Sequence, residues 1–102
     1  MSRKHESNIV TRIVEAISDW PCIMIKNNHG NEYSGRGWPD LEVLWRGTFY
    51  GLEAKVEGKY PTPMQVWRME KVRAAGGVAA VVHNADEAMA ILKKGKRWQR
   101  KK

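Results

Sequence analysis

"GWPDLEVLWRGTFYGLEAK", Gly37 to Lys55, holds two short apolar runs around Arg46-Gly47. Leu41–Trp45 and Thr48–Lys55 are rich in β-branched, aromatic and aliphatic residues, and the dipeptide between them has the look of a two-residue hairpin turn. Two carboxylates and a lysine interrupt these runs: Asp40 follows a proline at the mouth of the first, and Glu53 and Lys55 break the second two residues apart. Alternate residues of a strand share a face, so Glu53 and Lys55 point the same way, about 7 Å apart along the chain. Phe49 and Gly51 precede them on that face, and Leu52 and Ala54 point away. With Arg46-Gly47 as the turn, residue 45 pairs with 48, and Asp40 falls opposite Glu53. Directly opposed side chains have Cβ atoms roughly 5 Å apart. The hairpin register alone therefore predicts two carboxylates side by side.

Such a pair repels unless a cation lies between its members. Few carboxylates with open positions suit Mg²⁺ or Mn²⁺, and an ammonium at Lys55 would hold a phosphate oxygen, orient a water or steady developing charge. The same three residues also fit a solvated charge cluster on a half-covered sheet.

The rest of the chain frames this hairpin. Upstream, Ile9, Val10, Ile13, Val14, Ile17 and Trp20 recur at helical spacing and predict a helix over 3–19, with Ser2 as N-cap and Pro21 as its stop. Glu6 falls on the middle of that apolar stripe and needs a partner there, or the positive helix end; Glu15 falls on the solvent side. "CIMIK", 22–26, predicts a buried strand, followed by the polar, Gly-rich loop "NNHGNEYSGRGWP". Downstream, Thr62 and Pro63 open a second helix that closes at Gly76-Gly77. Its apolar residues, Met64, Val66, Trp67, Met69 and Val72, spread around the helix. "VAAVV" predicts a buried strand, and Asn84 caps a last helix, "ADEAMAILKK". The order αβββαβα predicts an α/β fold, a mixed β-sheet flanked by helices.

The chain has 102 residues, 42% of them hydrophobic, enough for one domain with a modest core. No apolar run reaches the roughly 20 residues of a membrane span, and the first ten residues resemble no signal peptide. A lone cysteine, Cys22, permits no intrachain disulfide and is expected as a small buried hydrophobe. The net charge is +7. Of the 18 Lys and Arg, seven lie in 93–102, "KKGKRWQRKK"; the other eleven equal the eleven Asp and Glu in number. The expected organisation is a domain over 1–92 and a basic C-terminal tail over 93–102, suited to a polyanion or, equally, to solubility alone. His5, His29 and His83 lack metal-ligand spacing; His29, in the loop, could approach the site but reads as a surface loop residue. No phosphate-loop or acyl-transfer motif is present.

"GWPDL", the thirteen residues from Asp40 to Glu53, "EAK", "PTPMQ" and "AAGGVAAVV" together resemble the virus-type replication-repair nuclease (VRR-NUC) domain of the PD-(D/E)XK superfamily. The resemblance runs from Glu6 to about Ala90. It rests on motif order and spacing: Glu6, then Gly37 with Pro39 and Asp40, Glu53 with Lys55, and Gln65. It implies a restriction-endonuclease-like fold and a Mg²⁺- or Mn²⁺-dependent endodeoxyribonuclease. Asp40, Glu53 and the carbonyl of Ala54 would bind the ion, with Glu6 joining directly or through water. Lys55 would position the attacking water, and Gln65 would hold the site from the second helix. Trp38 and Ala54 depart from the smaller and larger apolar residues often found there; neither side chain takes part in the chemistry. Small stand-alone members resemble Holliday-junction resolvases, which implies branched or four-way DNA as substrate and a homodimer. Lys26, Arg36, Lys93, Lys94, Lys96 and Arg97 are the expected DNA contacts. The expected location is the cytoplasm, that of the host for a phage-encoded enzyme. Trp38 suits stacking on a base or packing; Met64 and Trp67 suit a dimer face or the monomer core.

Overall fold

The computed structural model describes residues 2–29 and 37–94, with side chains from His5 onward. Three helices, α1 (Ser2–Ile17), α2 (Pro63–Ala74) and α3 (Ala85–Lys94), enclose four strands, β1 (Ile23–Asn27), β2 (Leu41–Trp45), β3 (Thr48–Ala54) and β4 (Val78–Val82). The sheet order is β1-β2-β3-β4. β1 and β3 flank β2 antiparallel, and β4 runs parallel to β3. This is the mixed αβββαβα arrangement that the hydrophobic periods predict.

The hairpin keeps the expected register, with Trp45 opposite Thr48 and Leu41 opposite Leu52. Its turn residues have positive φ, 55° at Arg46 and 80° at Gly47, the pattern that matches the twist of adjoining strands. Even positions of β3 and odd positions of β2 face one way: Leu41, Val43, Tyr50, Leu52 and Ala54 form a buried core with Val10, Ile13 and Ile17 of α1 and Ala88 and Leu92 of α3. Burying each such Ile, Leu or Val side chain contributes roughly 1.5–3 kcal/mol. On the other face, α2 lays Met69 and Val72 against Ala79, Phe49 and Val81. It covers only the β3–β4 half. Over β1 and β2, the directly paired Met24 and Leu44 stay exposed.

This half-covered face explains several departures from expectation. Met64, Val66 and Trp67 are exposed, so α2 packs on one side only and Met64 is no core residue. Cys22 is exposed with φ of 60°; it sits in the turn that Pro21 imposes before β1, outside the strand. α1 ends at Ile17, two residues earlier than expected, and begins at Ser2, which is helical rather than capping. α2 begins as predicted. The Thr62 side chain accepts from the Gln65 N–H at 3.1 Å, and the Gln65 Oε1 accepts from the Thr62 N–H at 2.8 Å, a full capping box. Asn84 caps α3 through the Glu87 N–H at 2.8 Å.

Candidate active site

The carboxylates lie on the sheet face that carries α2, beside the first turn of that helix. Asp40 sits one step beyond β2, and three contacts fix its loop. Gly37, with φ of 80°, lies so close to α2 that a Cβ there would come within 2.8 Å of the Met64 carbonyl oxygen; only glycine fits. Pro39 lies over Gly51, where an added Cβ would stand 2.8 Å from the proline Cγ. Buried Asn28, just past β1, donates from Nδ2 to the Pro39 carbonyl at 3.1 Å and to Glu42, and its N–H donates to the Asp40 carbonyl at 2.7 Å. "GxPD" thus reads physically as a glycine against the next helix, a proline filling the gap above Gly51, and an aspartate delivered to the strand beside it.

Asp40 Oδ2 accepts from the Ala54 N–H at 2.9 Å, and Oδ1 lies 3.0 Å from Nδ1 of His29. Both side chains are 14% exposed. Glu53 is 2% exposed. Its Oε2 accepts from Nε2 of Gln65 at 2.6 Å, while its buried Oε1 has no hydrogen-bond partner among the described residues. Burial, and then the neighbouring Asp40 charge, push the Glu53 carboxyl from 4.5 up to about 8, with the half-buried Lys55 ammonium pulling the other way. Burial together with a specific charged neighbour is the pattern that makes such an acid a candidate for function.

Asp40, Glu53, Lys55 and Gln65 are therefore gathered as expected, and Ala54 between the acids supplies its N–H to Asp40. Glu6 is half-buried on α1. No three His, Cys, Asp or Glu side chains form a metal-binding group among the described residues, so the structure does not gather Glu6 with Asp40 and Glu53 as a third ligand. Lys26 is exposed on β1, and Lys93 and Lys94 are exposed in the last turn of α3. Arg36, Lys96 and Arg97, with the tail from 95 to 102, lie outside the described residues. Of the two readings of His29, the approach to the site is the one the structure shows, since the adjacent strand end turns it onto Asp40; Asn28 escapes sequence reasoning. It is a buried clamp, and the only sequence signal for it is position directly after an apolar strand.

The donor set fits a divalent cation. The buried Glu53 Oε1 lacks a partner, two acids are held together, and a lysine stands beside them. Mg²⁺ is ordinarily held by one or two carboxylates, keeping its remaining positions for water and phosphate. That description matches a pair of carboxylates better than it would a closed cage.

Among solved structures, the chain is similar to one described as a "VRR_NUC domain", with a TM-score of 0.71 and 24% sequence identity over 90% of this chain and 98% of that one. The chain shares the VRR-NUC fold. No family model and no curated relative matches the sequence.

Proposed function

We propose that this chain is a metal-dependent endonuclease that hydrolyses DNA phosphodiester bonds, acting on four-way or branched junctions as a homodimer. The observation that carries the proposal is the buried Glu53, unpartnered at Oε1 among the described residues, set beside Asp40 and Lys55 on the sheet face that carries α2. Asp40 and Glu53, with the Ala54 carbonyl, would hold Mg²⁺ or Mn²⁺. When bound, such an ion polarises the phosphoryl oxygen and lowers the pKa of a coordinated water. Lys55 lies two residues on along the same face. Its ammonium orients the attacking water and offsets negative charge developing on the phosphorus oxygens. Gln65 fixes Glu53 through the 2.6 Å bond, and His29 and the Ala54 N–H fix Asp40. A site pinned this way approaches its productive geometry before substrate arrives.

The finer features rest on surface chemistry. Cutting a junction symmetrically requires two sites and hence a two-fold dimer. The exposed Pro63, Met64 and Trp67 of α2 form an apolar surface suited to that contact. Lys26, Lys93 and Lys94, together with Arg36, Lys96 and Arg97, would contact phosphates and give a salt-dependent affinity.

The test is cleavage of a synthetic four-way junction and a matched linear duplex, with and without Mg²⁺. The expected result is metal-dependent cutting that favours the junction and disappears in Glu53→Gln while binding persists. Equal rates on both DNAs would remove the junction preference. Binding without cutting under Mg²⁺ and Mn²⁺ would leave a non-catalytic DNA-binding module on the same fold.

A further inference from the structure

Trp38, two residues before Asp40, lines a cavity that the cleavage chemistry does not use. Its volume is about 280 Å³, and its walls include Trp38, Phe49, Val72 and Ala75 together with the cations Arg68 and Lys71. The Arg68 guanidinium carbon lies 4.2 Å from the Trp38 ring centroid and 5.1 Å from that of Trp67. Lys71 Nζ lies 5.2 Å from the Trp67 centroid. Trp38 is 38% exposed and Trp67 48% exposed. Packing alone would hide these rings. Instead Trp38, with the Arg68 guanidinium over its ring, forms a partly open wall of the cavity that Lys71 also lines.

A planar apolar body carrying an anionic group complements this surface, and a nucleotide is such a body. Bases stack on indole rings and on guanidinium planes alike, and arginine and lysine take up the adjoining phosphate. Small-molecule pockets span roughly 300–1,000 Å³, so a cavity at the bottom of that range takes one base rather than a peptide segment or a duplex. Its position is equally specific. Trp38 precedes Asp40 by two residues, which puts their Cα atoms at most about 7 Å apart. A base seated there belongs to the strand passing the carboxylates.

We propose that this cavity is a subsite for a single unpaired nucleobase of the bound DNA, stacked on the Trp38–Arg68 platform with its phosphate held by Lys71. The proposal rests on the nuclease reading for the path of the strand. It narrows the substrate to DNA with an unpaired nucleotide close to the cut, as at the open centre of a branched molecule.

The experiment uses the Glu53→Gln chain in metal-free buffer, so that no cleavage intervenes. The probe is a branched DNA carrying 2-aminopurine as its unpaired base, compared with a fully paired duplex of equal length. The expected result is a fall in 2-aminopurine emission on binding and about tenfold tighter binding than to the paired duplex, the effect of one stacked base. Adding Trp38→Leu removes the stacking surface. Adding Ala75→Phe fills the cavity while leaving Trp38 and Arg68 in place. Each abolishes both effects, with the helical circular dichroism retained. Unchanged emission, equal affinity for the two DNAs, or a preference that survives both substitutions overturns the subsite. Should the wild type cut no DNA under Mg²⁺ while the emission result holds, the subsite stands and the nuclease reading falls. Should it cut DNA while the emission stays unchanged, the nuclease reading stands and the subsite falls.

Discussion

Glu53→Gln should change how the metal-free fold responds to pH. In the folded chain, burial and Asp40 push the Glu53 carboxyl up to about 8 from 4.5. The folded state therefore keeps a proton that the unfolded state releases across that window. The contribution of Glu53 to stability is fullest below pH 4.5, falls as pH rises through the window, and levels off above about 8. The slope is at most about 1.4 kcal/mol per pH unit, which makes about 5 kcal/mol a ceiling. The proton belongs to the carboxyl pair, and water reaching the pair on ionisation lowers the effect to about 3 kcal/mol. That is a large share of the 5–15 kcal/mol that typically separates folded from unfolded. Glutamine cannot ionise, and its amide oxygen can still accept from Gln65. The assay is thermal unfolding followed by circular dichroism in EDTA at pH 5 to 9. Wild type and Glu53→Gln should unfold at similar temperatures near pH 5. At pH 9 the variant should unfold roughly 10–20 °C higher. Adding Mg²⁺ at pH 9 should raise the wild type toward the variant and leave the variant unmoved. Parallel pH profiles in EDTA would show that Glu53 is not held protonated, and the electrostatic picture of the site would fail.

Further substitutions probe the supports of the pair. Gln65→Ala removes both the Glu53 clamp and half of the capping box; chemical denaturation should show a loss of about 1 kcal/mol, and the rate of cleavage should fall more than substrate binding does. Gly51→Ala places a Cβ 2.8 Å from Pro39, so Asp40 is displaced, and calorimetry should show weakened Mn²⁺ binding in a chain that still folds. His29→Ala leaves Asp40 Oδ1 without its 3.0 Å contact; loss of such an orienting partner should weaken divalent binding about 10–100-fold.

The hairpin was legible because its information is local. Strand period, the Arg46-Gly47 turn and the pairing register follow from a few contiguous residues, and together they juxtapose positions 40 and 53. Thr62, Pro63 and Gln65 likewise state the start of α2 in neighbouring residues. What the sequence hid depends on contacts between distant segments. The contact of His29 with Asp40 spans eleven residues, and no period marks it. Cys22 looks apolar but occupies a turn whose positive φ comes from how the chain leaves α1. Met64, Val66 and Trp67 carry core-type side chains, yet α2 meets only half of one sheet face, and that coverage is decided by tertiary packing. The resemblance to VRR-NUC domains lies in the same residues that the geometry explains. Gly37 fits against α2, Pro39 fits over Gly51, and the two acids come to lie side by side.

Anomalous scattering from Mn²⁺-soaked crystals of the wild-type chain would place the ion itself. The pair of acids should show one strong peak in direct ligation distance of a carboxylate oxygen from both Asp40 and Glu53, with the peak lost in Glu53→Gln. Crystals of an active preparation in which manganese binds elsewhere, or touches neither carboxylate, would mean that this pair is not the metal centre.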